Sequence, residues 1–121
     1  MIIGIILLII AGVSEGVMDT LAHHFNTSIF NGLNPKFWNP TISGGNKWKN
    51  GLKENGEKFL FSSTLLVMFT EAWHVFKFIR TMTLFGGSFL FIYNSSIVFG
   101  LLIPIIVFKL SFSISYYFFG K

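Results

Sequence analysis

Residues 81–121 run for 41 positions with Lys109 and Lys121 as their only charged side chains. As one continuous helix they would measure about 60 Å, twice the roughly 30 Å of a bilayer's hydrocarbon. The stretch therefore has to break, and the break sets how often the chain crosses a membrane. Gly86-Gly87 fits a turn. It predicts helices at 59–84 and 88–110, the latter open to a kink at Pro104, followed by an aromatic interfacial tail at 111–121. A turn at Asn94-Ser95-Ser96 is the alternative, and would give four shorter spans.

The first span is predicted over 2–25, beginning with MIIGIILLIIAGV. No basic residue precedes this run and VSEG is a poor cleavage site, so it reads as a membrane helix rather than a leader. The chain is 12% charged, half the roughly 25% of a soluble globular domain. The predicted fold is all-α: an integral membrane helical bundle of three transmembrane helices (alternatively four), one membrane domain over 1–121 with a long interfacial loop. Cysteine is absent, which excludes a disulfide framework and thiolate chemistry. A net charge of +4 without a Lys/Arg run excludes a nucleic-acid partner.

Residues 26–58 change character. Six Asn, five Gly and two Pro fall within 31–58, which is turn and loop chemistry. Trp38 and Trp48 stand among lysines, the mixture found at a headgroup boundary. The loop reads either as a connector pinned by these two residues or as a lid over a site. It carries Lys36, Lys47, Lys49, Lys53 and Lys58, and with Lys121 these outnumber Lys77 and Arg80 on the other side. The positive-inside rule then puts the loop in the cytoplasm and the N-terminus opposite. Lys77 and Arg80 read as anchors whose long stems reach the far interface.

Five ionisable residues form the candidate site. Glu15, Asp19 and His23 recur every four positions and share an arc of about 80°. His24 points away from His23 and reads as an interfacial histidine. Glu71 and His74 share a face at i, i+3. Glu-x-x-His is the pair that di-metal carboxylate bundles use to aim an oxygen and a nitrogen at one point, although single copies arise by chance. A first helix crossing over 2–21 would put Glu15 about 9 Å deep, and a second entering the hydrocarbon near Ser63 would put Glu71 about 12 Å deep, close enough to meet.

Each ionised side chain at the bilayer centre costs about 3 kcal/mol or more, so these groups must pair, line a wet cavity or hold a cation. The structural alternative is a polar network gluing two spans. The functional one is a metal site of Glu15, Asp19, His23, Glu71 and His74, suited to zinc, iron or manganese. A metal-free acid–base or proton-relay site using Glu15 and Glu71 is the third.

Other motifs add little. Asn26-Thr27-Ser28 and Asn94-Ser95-Ser96 match the glycosylation pattern but fall in the predicted cytoplasmic loop and in a span. Gly44-Gly45-Asn46-Lys47 lacks the spacing of a phosphate loop. The alternation of Ser111, Ser113 and Ser115 suggests a two-faced interfacial segment.

Through EGVMDTLAHHFNTSIF, NPKFWNP and TEAWHVFKFIR, covering residues 15–80, the chain resembles small multi-span membrane proteins of bacterial and phage genomes. The resemblance implies a membrane location and carries no activity. The expected function is a carboxylate/histidine site near the cytoplasmic interface, with metal-dependent chemistry on a lipid or other amphiphile, Glu15 or Glu71 accepting the proton. The rival is a non-catalytic small subunit of a larger membrane complex, its polar residues serving as helix glue. A proton or ion pathway is third. Expected partners are membrane lipids and other membrane subunits or further copies of the chain.

Overall fold

The computed structural model describes residues 1–120, so Lys121, used above for orientation, lies outside the described residues. The chain is an all-α membrane bundle. In order it forms α1 (Ile2–His23), two single-turn helices α2 (Pro35–Trp38) and α3 (Pro40–Ser43), then α4 (Ala72–Asn94) and α5 (Ile97–Phe119). Three of these, α1, α4 and α5, are long and apolar enough to cross a membrane. Lipid offers a backbone no hydrogen bonds, so the helix, which satisfies its own N–H and C=O groups, is the form these segments take.

α1 is the central helix. It packs antiparallel to α4, with Gly4 under Phe91 and Leu8 under Gly87, and parallel to α5, with Gly12 and Gly16 against Ser111 and Ser115. A Cβ added at Gly12 would lie 2.5 Å from Ser111 Cβ and 2.6 Å from the Phe108 carbonyl oxygen. At Gly87 it would lie 2.8 Å from Leu8 Cγ and 3.0 Å from the Gly4 carbonyl oxygen. Small residues let the backbones approach, and in lipid that close packing replaces the hydrophobic drive that water provides. Ser115 Oγ, buried at this seam, donates to its own helix at Ser111 O (2.8 Å) and reaches Gly12 O at 3.5 Å.

The segment between α1 and α4 is a folded cap on one end of the bundle. Asn34 and Asn39 each precede a proline and each accept a backbone N–H through Oδ1, from Lys36 (3.0 Å) and Thr41 (3.1 Å). Asparagine as N-cap with proline at the first helical position starts a helix well, and here it does so twice in NPKFWNP. The cap docks through aromatics. Phe30 stacks on Trp38 with centroids 5.3 Å apart, Phe119 of α5 lies 5.4 Å from Phe30, and Phe76 of α4 lies 6.1 Å from Trp38. Phe30 also joins Val17, Leu21, Phe25 and Ala72 in a buried cluster.

Two helix boundaries differ from those predicted. The second span starts at Ala72, not near 59. Glu57 takes the amides of Phe61 and Ser63 on its carboxylate, both at 3.2 Å, and Phe61 adopts a left-handed φ of 60°. Amides bound by a side chain are withdrawn from a helix ladder, so 59–71 folds as turns and one short 3-10 segment, Val67–Phe69. The break between the last two spans falls at Ser95-Ser96 rather than Gly86-Gly87. Asn94 Nδ2 and Ser95 Oγ donate to the carbonyls of Leu90 (2.7 Å) and Phe91 (2.6 Å), which closes α4. Residues 111–119 accordingly continue α5 instead of forming an interfacial tail.

Candidate functional site

The later start of α4 rearranges the predicted site. Glu71 is the residue preceding α4, extended in backbone and at the helix's positive end, so it sits at the membrane boundary. Glu15 stands eight residues inside the end of α1, about 12 Å deeper. The residue at its level on the antiparallel helix is Arg80, eight residues into α4. Arg80 Nη1 donates to Glu15 Oε2 at 2.7 Å, the two side chains being 29% and 25% exposed. Arg80 Nε is buried without a partner. Arg80 is therefore not the far-interface anchor that its position in the sequence suggests. It is instead the counter-charge that lets Glu15 lie within the span.

Glu71 is 5% exposed and serves as a joint between cap and helix. Ser43 Oγ, at the end of α3, donates to Glu71 Oε2 at 3.0 Å. His74 Nδ1 stands against Glu71 Oε1, one turn along α4. That contact is an ion pair when the imidazole is protonated, but the ring is not aligned for a hydrogen bond and Nδ1 has no other partner. Beside this joint, Asn46 Nδ2 donates to the Thr70 carbonyl at 2.6 Å and Lys58 Nζ donates to Asn46 Oδ1 at 2.8 Å. Ser43 and Asn46 have no signature in the sequence that marks them as partners of residues 70–71.

Of the five predicted residues, the structure brings Glu71 and His74 together and leaves the other three apart from them. Glu15 is with Arg80. Asp19 is half-buried on α1 and makes no hydrogen bond or ion pair among the described residues. His23 is exposed at the helix end, its ring 6.5 Å from that of His24, which contacts Tyr116 at 5.6 Å. Among the described residues no three His, Cys, Asp or Glu side chains are grouped to hold a metal ion.

His74 also lines a cleft of about 440 Å³ between α4 and the turns of 63–68, together with Lys77, Thr64 and Thr81. Lys77 Nζ lies 5.0 Å from the centre of the Trp73 ring, a cation–π contact. Outside the spans, the Ser63 hydroxyl and amide hold the Glu57 carboxyl below its ordinary value, with the Phe61 amide adding to the effect.

The deepest charge without a counter-charge among the described residues is on α5. Lys109 lies on the exposed face of α5, ten residues from its Phe119 end and twelve from its Ile97 end, and makes no ion pair among the described residues. At 1.5 Å per residue that is about 15 Å and about 18 Å, the middle of the span. Comparisons of the chain with protein-family models, with curated proteins and with solved structures find no match.

Proposed function

We propose that the protein is a non-catalytic, membrane-embedded component of a larger membrane assembly, with its lysine-bearing cap in the cytoplasm. The observation that supports this reading is the division of the deep charges. Glu15 is answered by Arg80 inside the chain, whereas Lys109, slightly deeper, is answered by nothing among the described residues. A carboxylate held by a guanidinium within a span is a structural joint. A lone ammonium in hydrocarbon costs about 3 kcal/mol or more, and a neighbouring chain can remove that cost. The cap's five lysines, against an uncharged turn at residues 94–96, favour the cytoplasmic placement.

Extraction from the native membrane in a mild detergent, followed by native mass measurement, tests the proposal. A particle well above the 13.7 kDa chain with its detergent is expected. A lone chain would end this reading.

A second reading rests on Glu71 and His74. A buried carboxylate beside an imidazole with an unaligned Nδ1, opening on a cleft at headgroup depth, suits acid–base or metal-assisted work on an amphiphile. Zinc, iron or manganese would take Glu71 and His74 as two protein ligands and would need a third from elsewhere. Metal analysis of the purified protein beside Glu71→Gln and His74→Ala separates the readings. Stoichiometric metal lost in both variants would favour the second.

A further inference from the structure

We infer that the groove between α4 and α5 is the docking site for a transmembrane helix of another protein that carries an Asp or Glu at mid-membrane, and that Lys109 pairs with that carboxylate. This inference rests on the assembly reading above. α4 and α5 meet closely beside their turn, where a Cβ on Gly100 would lie 3.1 Å from Ile92 Cα. Further along they leave a groove of about 670 Å³, lined by Phe85, Phe89, Leu101, Pro104 and Ile105, with Lys109 at one end. Its walls are apolar and its one charge is a cation, so an apolar helix with one acid complements it.

Depth excludes the other sources of an anion. A lysine stem extends roughly 6 Å, so from the centre of the span the ammonium stops well short of the phosphates at either surface. A second copy of this chain, inserted the same way, offers no unpaired acid at that level among the described residues. Its Glu15 is held by Arg80 and its Glu71 by Ser43 at the helix end. Glu54 and Glu57 lie in the cap. Asp19 is four residues from the end of α1, about 6 Å deep and so about 9 Å above Lys109. The acid has to come from a different polypeptide.

The test places the labelled full chain in phosphatidylcholine vesicles with synthetic leucine-rich helices of about 21 residues, long enough to span. One helix carries a central Glu and the other is leucine throughout. Energy transfer between chain and peptide reports association. We expect the Glu helix to associate about tenfold more strongly than the leucine helix, a difference of about 1.4 kcal/mol. Lys109→Leu should abolish the preference and Lys109→Arg should keep it, which separates a lost charge from a lost fold. Equal binding of the two helices would overturn the inference, as would a preference that survives in Lys109→Leu. Self-association of the chain that depends on Lys109, or oleate displacing the Glu helix from wild type, would overturn it in favour of a second copy or a lipid acid. The peptide is supplied from outside, so its failure leaves the native mass measurement standing, and a lone chain in that measurement leaves the peptide result standing.

Discussion

Trp38 lies flat on Phe30, the two ring planes within 7° of parallel and the centroids 5.3 Å apart. Both rings belong to the cap, and each touches a different spanning helix, Trp38 through Phe76 and Phe30 through Phe119. The stack is a wedge that holds the cap-side ends of α4 and α5 in register. Trp38→Ala should release the cap and destabilise the protein by about 3 kcal/mol, as truncating a large packed aromatic does. Limited proteolysis within 44–58 should speed up accordingly, while helix content by circular dichroism stays close to wild type.

The Glu15–Arg80 pair predicts a non-additive response to mutation. Arg80→Ala leaves a carboxylate in the span without a counter-charge and should cost about 3 kcal/mol; Glu15→Ala should cost a similar amount for the mirror reason. The double change to alanine should cost much less than the sum. Unfolding in mixed micelles, read as a double-mutant cycle, measures the coupling, and an additive double mutant would show that the pair does not act as a unit.

At the α1–α5 seam the prediction is steric. Gly12→Val and Gly16→Val each place atoms where Ser111 or Ser115 already stands, so either should destabilise by about 1–3 kcal/mol. Gly32→Ala, in the cap with no atom within 4 Å of the added carbon, should fall within about 0.5 kcal/mol of wild type. Thermal unfolding of the three variants in one detergent ranks them.

Glu57 gives the turns of 59–71 a pH dependence of defined sign. Its carboxyl is held below the ordinary value in the folded chain, chiefly by the Ser63 hydroxyl, so the unfolded chain binds the proton more readily. The stabilisation is therefore complete above the ordinary glutamate range and is lost as the pH falls through the depressed folded value. Exchange of the Phe61 and Ser63 amides, corrected for the intrinsic pH dependence of exchange, should lose protection in that acid window. Glu57→Gln should show the lower protection at every pH.

The number and nature of the spans are legible in the sequence because long apolar stretches with few charges leave few alternatives. Their ends were harder. FLFSSTLLVMF is as apolar as a span, and only the capture of two amides by Glu57, four and six residues upstream, turns it away from helix. Gly86-Gly87 reads as a turn, yet Gly87 is a packing site for Leu8, which depends on a neighbour 79 positions away in sequence. The Glu71–His74 pair was visible from its spacing. Arg80 was not, because its role depends on where α4 starts. The seam had a signal that went unused: Gly12-x-x-x-Gly16 on α1 and Ser111-x-x-x-Ser115 on α5 are both small residues one turn apart.

The distance along the chain between Glu15 and Arg80 also orders the protein's birth. Synthesis proceeds from the N-terminus, so the acid of the first helix enters the membrane before its basic partner has left the ribosome. Until about sixty more residues are made, at some 5–20 residues per second, that helix waits for several seconds without its counter-charge, sheltered at the insertion machinery. A nascent chain arrested ahead of residue 80 should be held there, and one arrested beyond α4 should be free to leave.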